Sequence, residues 1–382
     1  MSDAASAARP LRGSPRGRKT TFRAAAPRVL AATNDAVFLA VEREAPPRTA
    51  DQEDAPEAAA LIALDVKELT ARWTAPLESS RMLAGARRGE DLLLVEDRDL
   101  VLRRGSSGEV LARAELPLRP LALEVAGDRA VVTFSGPKGA AVVGAFEVGE
   151  KFGAELWRHQ GERAPRPRAR VAGERVLVGG WGQRALAALT LDAGVAQPPI
   201  ELGGDEKLAA LEAADAHGAL LALHKAEHPV LEERAADGRA LWRHDARFTE
   251  LALARDHVLG VTRDESGRPG EVLLALEREK GTIVWMQELA ASPAGVAPAH
   301  RLAVSGDVVY CGTAGSKIAV TAYELATGAS VFERSFTLPV DLEPLPGAPS
   351  AAPAFFGLAA LDERVALVVG SEGETVVALL EP

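Results

Sequence analysis

The sequence predicts an all-β fold: a single β-propeller of eight four-stranded antiparallel blades, seven being the alternative, with the ring closed by an N-terminal strand. Three observations predict it. A polar turn followed by a short apolar run occurs eight times along the 382 residues. A second element, a strand, a glycine turn and a strand bearing an aromatic four residues after the glycine, recurs with a period in the low forties. No segment carries a long 3.6-residue apolar periodicity with caps, which argues against a parallel βαβ fold.

The first element begins at Asn34-Asp35 before AVFLAV and at Gly89-Glu90 before DLLLV. It returns at Gly127-Asp128, Gly173-Glu174, His217-Gly218, Arg255-Asp256, Gly306-Asp307 and Asp362-Glu363. Gly, Asn and Asp tolerate the backbone angles of tight hairpins. Continuous aliphatic runs after them read as strands buried on both faces.

The second element pairs Gly153 with Trp157, Gly238 with Trp242, Gly281 with Trp285 and Gly328 with Phe332. Trp73 stands in the same slot with Leu69 in place of the glycine. Gly108 leads only to Ala112, and Pro198 fills the slot after Gly194. Slots at 73, 112, 157, 198, 242, 285 and 332 lie 39 to 47 residues apart, the spacing of a propeller blade. One aromatic per blade at a fixed position predicts a packing role for Trp73, Trp157, Trp242, Trp285 and Phe332.

The last unit ends at Pro382 one strand short, while a piece near Thr20–Arg23 precedes the first unit without a blade of its own. Pairing the two closes the ring and removes an open sheet edge. The domain reading is therefore a basic, disordered tail over 1–19 and a propeller over 20–382. Within it, the acidic, proline-rich stretch 42–57 reads as a disordered loop of the first blade, and 339–353 as an insertion before the last.

Abundant Ala, Arg, Gly and Pro give the composition a GC-rich bacterial bias. The net charge is −10. Residues 1–28 hold seven cations against Asp3 alone, leaving −16 on the rest. An acidic body lacks the basic face that phosphate contacts need, which excludes nucleic acid as the expected partner. Cys311 is the only cysteine, so no intrachain disulfide or thiolate metal cluster can form. No apolar run is long enough to span a bilayer, and no apolar h-region or lipid-attachment cysteine follows the basic start. The expectation is a cytoplasmic protein, or a periplasmic one if the N-terminus is not native.

The elements AYELATGASVF (322–332) and EERAADGRALW (232–242) resemble the PQQ-like repeat, Ala-x-Asp-x-x-Thr-Gly-x-x-x-Trp. The resemblance covers roughly residues 28–382. It implies an eight-bladed propeller whose tryptophans clamp neighbouring blades. It also implies one of two functional branches. Quinoprotein dehydrogenases hold pyrroloquinoline quinone and calcium over the ring centre, often with adjacent cysteines and with Asn, Glu and Asp ligands. Non-catalytic scaffolds include the lipoprotein of the outer-membrane Bam complex. A single cysteine and a single asparagine, Asn34 in a turn, depart from the quinoprotein pattern, and no Asp-rich loop supplies a calcium site.

The expected function is therefore a non-enzymatic protein-interaction scaffold without cofactor or metal, its protein partner unidentified. A quinoprotein-like dehydrogenase and a small-anion sensor are the alternatives. His224 and His228 have the i, i+4 spacing of a zinc pair on a helix, but on a single strand they stand roughly 13 Å apart. VGGWGQ (178–183) lacks the following helix of a phosphate loop. Arg166, Arg168 and Arg170 alternate at the start of an innermost strand, and Arg28, Arg81, Arg119 and Arg301 occupy similar places in other blades. Focused at a channel mouth, such guanidiniums would attract a carboxylate or phosphate on a small anion or a partner.

Overall fold

The structure is a computed structural model that describes residues 18–23, 25–33, 35–42, 59–77, 84–225, 228–263, 271–289, 299–314, 318–336, 355–361, 364–370 and 374–380. The tail over 1–17, most of the acidic stretch 42–57, the insertion 339–353, Asn34 and Arg81 lie outside them. Thirty-two strands form eight four-stranded antiparallel sheets. We number the blades 1 to 8 in chain order and letter their strands a to d outward from the central channel. The a strands of successive blades touch all round the ring, and 8a (Phe355–Ala360) meets 1a (Ala25–Ala32).

Closure is as the ends of the sequence predict. The first strand, Arg18–Arg23, supplies 8d and pairs antiparallel with 8c, Glu374–Leu380. The ladder runs from Arg18 opposite Leu379 to Arg23 opposite Glu374. It starts two residues before Thr20, because Leu379 and Ala378 continue the apolar edge on which Arg18 and Lys19 pair.

Burial explains the pattern of runs. Strands b and c are sandwiched between neighbouring sheets, so 2b (Asp91–Glu96) and 6c (Glu271–Glu277) are apolar on both faces and buried almost throughout. Strand d faces solvent on one side and alternates, as in 1d (Ala71–Leu77). The described core divides into eight hydrophobic clusters, one in each seam between blades.

The tryptophan slot lies on strand d and reaches into the next blade. Indole N–H groups of Trp73, Trp157, Trp242 and Trp285 donate to the carbonyls of Gly105, Leu191, Arg278 and Leu325 at 2.8, 2.9, 2.6 and 2.7 Å. Each ring covers a glycine of that blade's c–d turn. A Cβ on Gly281, whose φ is +66°, would come within 2.5 Å of Trp242. Leu69, standing where other blades have glycine, holds a φ of +55°. Phe332 packs on Tyr310 with ring centroids 6.1 Å apart. In the two weak copies the contact moves two residues along the same strand face. Ala114, not Ala112, meets Gly153, and Ile200, not Pro198, meets Gly238.

Candidate functional site

In an up-and-down blade, the a–b and c–d hairpins project from one side of the disc. The b–c loops and the d-to-a crossovers project from the other. The arginines singled out in the sequence start on this crossover face, and the structure divides them. Arg119, Arg166 and Arg168 are exposed in the crossovers into blades 3 and 4 or at their end. Arg166, between Pro165 and Pro167, is held at a φ of +51°, an uncommon conformation for a residue with a side chain. Arg170 is half-buried in 4a (Arg168–Ala172). It pairs with the Glu124 carboxylate of 3a (Pro120–Ala126) and donates to the Glu212 carbonyl of 5a (Lys207–Ala214) at 2.9 Å, tying three inner strands together. Arg301, three blades away in 7a (Ala299–Ser305), pairs with Glu250 of 6a (Phe248–Leu253) at 3.3 Å. Burial pushes the Glu250 carboxyl above its ordinary value, and Arg301 offsets only part of that rise. Of Arg28 only the backbone, in 1a, is described. Arg170 and Arg301 are thus charge-matched across blades, whereas Arg119, Arg166 and Arg168, on the crossovers or at their end, carry no ion pair among the described residues.

Beside them Trp181 stands 56% exposed in the b–c loop of blade 4, its backbone N–H donating to the Pro165 carbonyl at 2.9 Å. It borders a depression of about 780 Å³ that Arg184, Lys207, Leu208, His224 and Asp205 complete. The loop is fixed from beneath, since Gly182 donates to Leu208 and Leu208 to Gln183 at 2.7 and 2.8 Å. A strand, not a helix, follows it.

His224 and His228 lie on the two arms of a hairpin rather than along one strand. His224 pairs with Pro229 and His228 with Lys225, so the pleat turns the two imidazoles to opposite faces. They form no metal pair.

A second polar system crosses the blade interior. Glu232 and Glu233, adjacent in 5c (His228–Ala235), are 0% and 1% exposed. Alternation sends them to opposite seams. Glu232 pairs with Arg234 and with Arg243, which also holds Glu206 at 2.6 and 2.8 Å. Glu233 Oε1 accepts from Arg278 Nε at 2.7 Å, and Arg278 grips Asp215 at 2.5 and 2.8 Å. Burial pushes the Glu233 carboxyl up, and Arg278 only partly opposes it. For the less buried Asp215, burial is opposed by the same guanidinium together with the backbone N–H groups of His217 and Gly218, and the carboxyl lies below its ordinary range. The arginine pattern did not reveal these acids. Their signal was present in VLEERA (230–235), where three charges interrupt a strand whose place in the repeat requires burial.

Among the described residues the donor set does not fit a quinone–calcium centre. Among the described residues no three His, Cys, Asp or Glu side chains converge to hold a metal ion. Cys311 is buried in the seam between blades 6 and 7, where burial pushes its thiol up to about 12. Among the described residues no helix is long and apolar enough to cross a membrane.

Comparison with known proteins follows the same lines. The family model of the outer membrane protein assembly factor BamB matches residues 141–379, more than half of the chain. Among solved structures, BamB from Moraxella catarrhalis superposes with a TM-score of 0.57 at 14% identity, over 94% of this chain and 97% of that one. The computationally designed Ika8 protein gives 0.64, again at 14% identity and with the same coverage. Quinohemoprotein alcohol dehydrogenase from Comamonas testosteroni gives 0.52 at 12% identity, over 94% of this chain and 76% of that one. Identities this low show the fold alone. No curated protein sequence matches. With its blade repeat, its tryptophan clamps and the matching family model, the chain belongs to the PQQ-like β-propeller family described by the outer membrane protein assembly factor BamB.

Proposed function

We propose that the protein is a non-enzymatic interaction scaffold that docks an acidic segment of a partner protein on the crossover face of blades 4 and 5. The observation that carries this reading is Trp181, an exposed indole on a tightly hydrogen-bonded loop beside a depression. Rigid aromatic anchors of this kind dominate protein interfaces at low entropic cost. Arg184 and Lys207 line the depression with Asp205, and the exposed Arg166 and Arg168 follow Pro165, whose carbonyl the Trp181 N–H meets, on a chain of net charge −10. Such a patch steers an acidic partner and fixes its orientation. The backbone at Arg166 supports the same reading, since strained loop residues cluster at functional sites.

The test is partner capture from the native cell by the full chain and by two variants, Trp181→Ala and Arg184→Glu. Both should lose the protein that the wild type retains, with melting temperatures unchanged because both side chains are exposed. A partner held equally by both variants, at low and high salt, would refute the assignment. Mixing the pure protein with pyrroloquinoline quinone and calcium should give no bound chromophore. A stoichiometric bound quinone would overturn the non-enzymatic reading.

A further inference from the structure

Strand d is the outer edge of every blade, and its outward N–H and C=O groups meet no fifth strand among the described residues. Such an edge is a template for another chain, and proteins blunt it with proline or with charged side chains. Seven of the eight edges here carry a proline or a cation. Pro76 stands in 1d, and Pro198 and Pro199 in 4d (Ala196–Glu201). Arg113 interrupts 2d (Val110–Glu115), and Arg158 interrupts 3d (Glu155–Arg163). Arg243 lies in 5d (Ala240–His244) and Arg334 in 7d (Ser330–Phe336), while Arg18 and Lys19 open 8d.

The exception is 6d (Ile283–Glu288). Its sequence IVWMQE holds no proline and no cation, and its one charge is the terminal Glu288. Ile283, Val284 and Met286 are 52, 45 and 55% exposed, and no other strand gathers three exposed large apolar side chains among the described residues. The blade clamp uses Trp285 alone, which turns to blade 7 and donates to the Leu325 carbonyl. Alternation puts Val284 and Met286 on the opposite face, too exposed to serve the core.

We infer that the 6d edge pairs with the 6d edge of a second copy of this chain, joining the two sixth blades into one eight-stranded antiparallel sheet. The strand is complementary to itself when turned about a twofold axis at Trp285. Val284 of each copy then lies opposite Met286 of the other, and Ile283 opposite Gln287, so the exposed apolar side chains cover one another. Charge agrees with this register. Glu288 stands opposite Thr282 and diagonal to Lys280 of the other copy, and no like charges are opposed. Lys280, exposed in the c–d turn, holds Glu277 of its own chain at 2.6 Å, and its ammonium has further donors to offer. The pairing is isologous and closes at two copies. An edge of six residues is small beside the about 20–30 residues a side of a standard interface, so the dimer is weak and concentration-dependent. It leaves the crossover face and Trp181 free, and it stands or falls independently of the proposed docking there.

Sedimentation equilibrium of the full chain between about 5 and about 500 μM tests the inference. The mass should rise with concentration towards twice that of the monomer and no further. Each copy carries a net charge of −10, so repulsion opposes pairing and added salt should strengthen it. Met286→Lys blunts this edge as the others are blunted. It should raise the dissociation constant about tenfold or more at an unchanged melting temperature, since the side chain is exposed. Glu288→Lys should raise it about threefold, and adding Lys280→Glu to that variant should restore it. A monomer at every concentration, species beyond the dimer, a dimer indifferent to Met286→Lys, or no recovery in the charge-swapped double variant would overturn the inference.

Discussion

Replacing Trp242 by Ala tests the blade clamp where its geometry is most fully defined. The side chain is 7% exposed and donates to the Arg278 carbonyl across the seam. Removing a buried Trp costs about 3–5 kcal/mol, and we expect about 4. Gly281→Ala attacks the same contact from the other blade. Its φ of +66° strains any residue with a Cβ, by about 1–2 kcal/mol. The new methyl would also lie 2.5 Å from the indole, and overpacking adds about 1–3 kcal/mol. The single change should therefore cost about 3 kcal/mol. In the double variant the overlap disappears and only the strain remains, so the total should be about 5–6 kcal/mol rather than the additive 7. Guanidinium denaturation followed by circular dichroism, with midpoints compared at constant m, gives all four values. Gly281→Ala costing the same with and without Trp242 would refute the clamp, as would a Trp242→Ala midpoint equal to that of the wild type.

Two further outcomes follow from the fold. A chain starting at residue 24 lacks 8d, so its melting temperature should lie roughly 5–10 °C below that of a chain starting at residue 18. Equal values would reject the closure. Cys311 ionises in the unfolded chain near its ordinary 9.0 but in the folded chain only near about 12. Folding therefore favours the protonated thiol, and its contribution to stability is complete below pH 9. It should decline by about 1.4 kcal/mol per pH unit between 9 and 12. Cys311→Ala should flatten this part of the profile, and alkylation of the wild type at pH 8 should proceed only as fast as unfolding. Rapid labelling of the folded protein would contradict this.

The blades were legible because the repeat imposes the same physics eight times. An apolar b strand must follow a tight turn, and a large ring on strand d must cover a glycine. Where one copy is degenerate, Ala114 and Ile200 take over the contact by the period of two, which a fixed glycine-to-aromatic spacing cannot show. The arginines were legible as charges but not as a site. Whether a guanidinium is free depends on which acid the next blade presents, and Glu124 and Glu250 lie 46 and 51 residues away in sequence. Trp181 carried no repeat signal. Its exposure follows from the b–c loop that holds it.

The strand that completes blade 8 comes from the chain's start, and the strand it pairs with begins at Glu374. Some 350 residues separate them, so a ribosome adding 5–20 residues per second presents the first strand for roughly 20–70 s before its mate exists. During translation blades 1 to 7 can assemble in order, but the ring cannot shut. The unpaired segment of one molecule can meanwhile reach the open edge of 8c in another, before that molecule's own first strand has docked. At high expression the kinetic competition is between closure within one chain and strand exchange between chains, and dimers formed in this way would be linked by blade 8 alone.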